Sequence, residues 1–233
     1  MVLLPSLGRG AEDFDDLASR IAEAGYRVLC PQPRGIGAST GPLQGITLHD
    51  LASDVAAVIE HEGGGPAIVA GHAFGNWVAR MLAADRPNLV RAVILLAAAF
   101  REIAPGIRIS ITRSSDTSLA DAERLEHLQR AYFAPGHAAA VWLAGWHTDV
   151  ARAQRTAGAA VPQDAWWPAG GKVPILDVQG REDTIAPHSG SGKLREELGA
   201  RVTTAVIPNA GHALLPEQPA AVAEAIIAFI KQL

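Results

Sequence analysis

The stretch Gly71-His72-Ala73-Phe74-Gly75 joins the apolar run at 67–70 to an amphipathic segment from Asn76 to about Ala84. It therefore reads as the tight connection between a strand and a helix. Paired glycines of this kind stand where side chains would collide with neighbouring segments, and the residue between them is forced into a strained backbone conformation. The pattern matches a G-x-S-x-G turn at every position but the centre, where Ala73 stands instead of serine. A costly turn is retained, with a methyl group at its tip; the competing reading takes Gly71 and Gly75 as ordinary turn glycines.

Outward from this turn, short apolar runs alternate with longer amphipathic segments, the pattern of parallel strands joined by crossover helices. Strands are expected at 2–4, 26–30, 67–70, 93–96, 173–178 and 202–207. Phe14, Leu17, Ala18 and Ile21 fall on one face of a helix that stops at Gly25. Thr47 and Asp50 can form a capping box over a helix with the stripe Leu48, Leu51, Ala52, Val55 and Ile59. Two more helices are expected near 192–198 and 220–230. The interval 101–168 breaks the rhythm, because helical pieces such as 119–132 follow one another without a convincing strand. It reads as a helical cap inserted into a core made of 1–100 and 169–233. Trp142, Trp146, Trp166 and Trp167 all lie in this interval, and only Trp77 lies outside it. Such rings either line an apolar pocket or fix a thin cap to the domain beneath.

Composition narrows the classes. With 233 residues, 48% of them hydrophobic and 19% charged, the chain can bury a sizeable core. A formal net charge of -4 gives no overall attraction to nucleic acid or to an anionic membrane surface, so a small-molecule ligand is the expected partner. Cys30 is the single cysteine, which excludes an internal disulfide. No basic stretch and cleavage site follow Met1, and the most apolar run, 92–100, is about half the ~20 residues needed to span a bilayer. A cytoplasmic location is the resulting expectation.

Two later motifs complete a pattern. Gly180-Arg181-Glu182-Asp183 and Asn209-Ala210-Gly211-His212 each follow an expected strand, placing Asp183 and His212 at strand carboxyl ends, where parallel sheets put their active sites. A carboxylate bonded to one imidazole nitrogen fixes the tautomer and leaves the other nitrogen as a base. The order of glycine-flanked turn, Asp183 and His212 resembles the α/β-hydrolase superfamily along nearly the whole chain. Arg34-Gly35-Ile36-Gly37-Ala38-Ser39 is similar to that superfamily's R-G-x-G-x-S loop, and Leu3-Leu4-Pro5-Ser6-Leu7-Gly8 stands where many members have a strand followed by His-Gly-x. The resemblance implies a mainly parallel sheet with helices on both faces and a helical cap. It also implies an oxyanion hole formed by the N–H groups of Leu7 and Phe74. Pro5-Ser6 in place of His-Gly, and Gln32 where an Asp is common, depart from the pattern. The chain starts in what resembles the third strand of the superfamily, so the usual first antiparallel pair is expected to be missing.

A methyl cannot attack a carbonyl, and Ala73 closes the acyl-enzyme route. Three readings compete: a replaced serine in an otherwise ordinary hydrolase of a small apolar ester, lactone or related carbonyl compound; serine-free base catalysis by His212 and Asp183; or a non-catalytic ligand-binding module. Cys30 and Ser6 are poor substitutes as nucleophiles. The remaining histidines lack metal-ligand spacing, and the chain has neither a dinucleotide fingerprint nor a phosphate loop, so no metal or organic cofactor is expected.

Overall fold

A computed structural model of the protein describes every residue except Gly64, Glu102 and Ala104. In chain order its strands and α-helices are β1 (Val2–Leu4), α1 (Asp15–Glu23), α2 (Leu48–His61), β2 (Ala67–His72), α3 (Phe74–Asp85), β3 (Val90–Leu96), α4 (Pro105–Ser114), α5 (Asp121–Tyr132), α6 (Thr148–Ala159), α7 (Gln163–Trp166), β4 (Ile175–Gly180), α8 (Ser189–Leu198), β5 (Val202–Ile207), α9 (Leu214–Glu217) and α10 (Pro219–Ile230). The strands form one sheet in the order β1-β2-β3-β4-β5, parallel at every pairing.

Alternation along the strands builds two cores, because successive side chains point to opposite faces. Val2, Leu4, Val93 and Leu95 pack with Leu51, Val55 and Ile59 of α2 and Val78 and Leu82 of α3. Leu3, Ile94 and Leu96 pack on the other face with Leu17 and Ile21 of α1 and Ile226 and Phe229 of α10. Covered on both faces, the central strands are buried almost throughout, as parallel sheets require. The start of α2 is fixed as its sequence predicts: the Asp50 carboxylate accepts the Thr47 N–H at 2.8 Å and the Thr47 hydroxyl at 2.7 Å. These bonds hold the Asp50 carboxyl below its ordinary range.

Two expectations need correction. Residues 26–30 form no strand; they contribute a single bridge, Val2 to Leu29, with the Leu3 N–H on the Leu29 carbonyl and the Leu29 N–H on the Met1 carbonyl, both 2.9 Å. The Tyr26 N–H instead bonds back to Ile21 at the end of α1, and Pro31 and Pro33 follow at once with no N–H to extend a ladder. The strand expected at 173–178 begins at Ile175, because Pro174 can offer only its carbonyl, taken by Val93 at 3.0 Å.

Between β3 and β4 the described residues form helices and turns, with Trp142, Tyr132 and Leu128 packed together with Ile185 and Ala213. Arg9 ties this region to the sheet. It is 3% exposed, pairs with Asp13 through two bonds of 2.8 and 2.5 Å, and donates to the Ala144 carbonyl at 2.6 Å. Its guanidinium lies 4.8 Å from the Trp142 ring centroid and 4.9 Å from that of Trp146. Among the described residues no helix is long and apolar enough to cross a membrane.

Candidate active site

The turn after β2 has the expected strain. Ala73 adopts φ 45° and ψ −109°, a region that L residues rarely occupy, and α3 begins immediately after it. A Cβ on Gly71 would lie 2.2 Å from the Gly75 carbonyl carbon, and one on Gly75 would lie 2.3 Å from the Leu4 carbonyl oxygen. Neither position tolerates a side chain, so the glycines are there for close backbone approach. The turn is held by the Ala73 N–H on the Leu96 carbonyl at 2.9 Å, and by the Asn76 backbone and side-chain N–H groups on the Ala73 carbonyl. Ala73 thus sits at the N-terminus of α3, where the helix dipole favours developing negative charge.

Asp183 and His212 meet from adjacent strand ends. One Asp183 oxygen accepts the N–H groups of Ile185 and Ala186, each at 2.8 Å, and the other faces His212 Nδ1 at 2.9 Å. Because the carboxylate can only accept, the network assigns a proton to Nδ1, so Nε2 is the base nitrogen of the neutral imidazole. The side chains of His212 and Asp183 are 5% and 0% exposed, so their pairing is shielded from water.

The backbone around His212 is held from three directions. Gly211 donates to Glu217 at 2.6 Å, Ala213 donates to the Tyr132 carbonyl at 2.8 Å, and the His212 carbonyl accepts from His72 Nε2 at 2.8 Å. Burial pushes His72 down to about 3, with His212 adding to the effect, so His72 is neutral and its Nε2 carries the donated proton. Tyr132 meets the His212 ring edge to face at 5.6 Å, and burial raises its hydroxyl to about 12.

Ala73 and His212 both border one cavity of about 610 Å³, also lined by Leu7 and Phe74. Trp146, Trp166 and Trp167 line it too. Trp142 does not; its ring is 2% exposed and packs on Arg9, His72, Tyr132 and Phe133. Trp77 of α3 joins the lining and stacks on Trp166 at 4.9 Å. The loop carrying Leu7 is bound to α6 and the residue before it: the Gly8 N–H bonds Gln154 Oε1 at 2.7 Å, and the His147 N–H bonds the Gly8 carbonyl at 2.9 Å.

Sequence reasoning missed Gln154, Glu217, Tyr132 and Trp77. The first two are polar residues whose partners lie 146 residues away, in the case of Gln154 and Gly8, or on another loop. The remaining two had a legible signal in their helical faces, since Trp77 and Tyr132 belong to segments already read as helices.

The fold is matched by comparison with known proteins. Residues 1–225 match the Alpha/beta hydrolase family, and the chain belongs to it. A relative from Mycobacterium tuberculosis, BpoC, whose name places it among the non-heme bromoperoxidases, is 29% identical over 227 residues, covering 88% of this chain and 83% of its own. A non-heme chloroperoxidase of Streptomyces lividans is 26% identical over 257 residues, covering 95% and 87%. The structure of a thermophilic esterase from Thermogutta terrifontis superposes with a TM-score of 0.78 over 99% of this chain and 89% of that one, at 22% identity.

Proposed function

We propose that the protein hydrolyses a small, largely apolar ester, lactone or related carbonyl compound, with His212 as general base and no covalent acyl-enzyme. The observation that carries this reading is the buried Asp183-His212 contact of 2.9 Å beside a cavity shared with Ala73. In this reading Asp183 orients the imidazole, and His212 Nε2 removes a proton from water as the water oxygen attacks the carbonyl carbon. The carbonyl electrons move onto oxygen, which the N–H groups of Leu7 and Phe74 stabilise at the end of α3. Collapse expels the alkoxide, which takes the proton back from His212. Ala73 marks the position of the usual nucleophile and closes the serine route. The helical segment at 101–168 acts as a cap that keeps the site dry, with Trp146, Trp166 and Trp167 forming the apolar surround. Family membership and the relatives named for esterase and haloperoxidase chemistry support an enzyme of this class.

The test compares the protein with its Ala73→Ser and His212→Ala forms on a panel of aryl esters. Slow turnover that disappears in His212→Ala is expected, with a burst of acylation in Ala73→Ser. Absence of turnover in the unaltered protein and in Ala73→Ser, with ligand binding retained, would replace this reading with that of a binding module.

A further inference from the structure

Three arginines, Arg101, Arg108 and Arg155, line the cavity that contains His212, and among the described residues no aspartate or glutamate does. The chain as a whole carries 24 acidic against 20 basic residues, so this excess of positive charge is local. Helical spacing shows that two of the three are aimed inward. On α4, Arg108 shares its stripe with Ile111 and Thr112, at intervals of three and four residues, and all three line the cavity. On α6, Arg155 shares its stripe with Ala151, Gly158 and Ala159, which also line it. Arginines serving only solubility would lie on the opposite faces.

The three differ in how they are held. Arg101 lies 4.9 Å from the Trp167 ring centroid and is paired with Glu197 and Asp164, so its position is set by the protein. Among the described residues, Arg108 and Arg155 have no acidic partner, and both are exposed. They are the solvent-exposed part of the lining, which we take as its mouth, whereas His212 is buried.

We infer that the cavity takes an amphipathic carbonyl compound bearing a carboxylate, which Arg108 and Arg155 bind at the mouth while the carbonyl end reaches His212. The assignment of the reacting end rests on the hydrolase reading; the charge preference at the mouth does not. A guanidinium supplies paired N–H donors matched to a carboxylate, and the low-dielectric walls strengthen the attraction.

The experiment measures binding of phenylbutyrate and of phenylbutyramide by quenching of tryptophan fluorescence, in the unaltered protein and in the double variant Arg108→Gln/Arg155→Gln. Charge-assisted bonds of this kind correspond to a preference of about tenfold or more for the acid. That preference should fall with added salt and largely vanish in the double variant, while affinity for the amide stays constant. Equal affinities in the unaltered protein, no detectable binding of the acid, or a preference that survives the double variant would overturn the inference. A near-ultraviolet circular dichroism spectrum matching the unaltered protein shows that the variant is folded. In His212→Ala the charge preference should persist, so loss of ester turnover with the preference intact counts only against the hydrolase reading. Turnover without the preference counts only against this one.

Discussion

Replacing Arg9 with methionine should destabilise the protein more than any single exposed ion pair could. Asp13 is left with 4% side-chain exposure and no counter-charge, the case in which removing one partner of a buried pair costs about 3–5 kcal/mol. The two aromatic contacts and the bond to Ala144 are lost as well, while the methionine side chain refills part of the space. At about 2–4 °C per kcal/mol for a chain of this size, the melting temperature should fall by roughly 6–20 °C. The effect also has a pH signature. Burial already raises the Asp13 carboxyl above its ordinary value, with Arg9 working against that rise. Without Arg9 it rises further, so between the unfolded and folded values the native state binds more protons, and stability increases as pH falls through that window. The deficit of Arg9→Met relative to the unaltered protein should therefore be largest above neutrality and shrink on acidification, and Arg9→Met/Asp13→Leu should recover most of it. Urea unfolding followed by circular dichroism across the pH range reads both. A single-variant loss under about 1 kcal/mol, or a deficit independent of pH, would refute the reasoning.

Three other outcomes are expected. Gly75→Ala should fail to reach the native fold or lose more than about 4 kcal/mol in denaturant unfolding, because its methyl meets the Leu4 carbonyl at 2.3 Å and the obstacle is backbone. Ala73→Gly should be neutral or stabilising by up to about 2 kcal/mol in the same measurement, since relief of a strained φ of 45° exceeds the added entropy of glycine. His72, at about 3 when folded against an ordinary 6.5, binds its proton only in the unfolded chain over the interval between those values. Stability should therefore be lost as pH falls below about 6.5, by up to about 1.4 kcal/mol per pH unit from this residue, and His72→Gln should show a shallower decline in acid unfolding curves.

Local rules carried the fold far. The Thr47–Asp50 cap, the stripe of α2 and the glycine-flanked turn each depend on neighbours within a few residues, and each is present as read. The failure at 26–30 arose because an apolar run says nothing about whether a partner strand is long enough to pair with it, and β1 has three residues. The site divides in the same way. Asp183 and His212 were legible because each follows a strand, and the sheet itself brings consecutive strand ends together. Arg9, Glu217 and Gln154 were not, since a buried polar residue and a solvated one are the same letter until long-range packing removes the water. Trp142 shows the limit of composition: four rings gathered in one interval, yet this one stays out of the cavity and packs on Arg9 instead.

The two bonds that join Gly8 to Gln154 and His147 run in opposite directions, one accepted and one donated across the same short gap. A rigid tilt of α6 away from the sheet must either break both or drag the β1 loop with it. That helix is consequently no independent flap: whatever admits a molecule by lifting it also deforms the peptide plane beside Leu7, and a re-seated helix restores both at once.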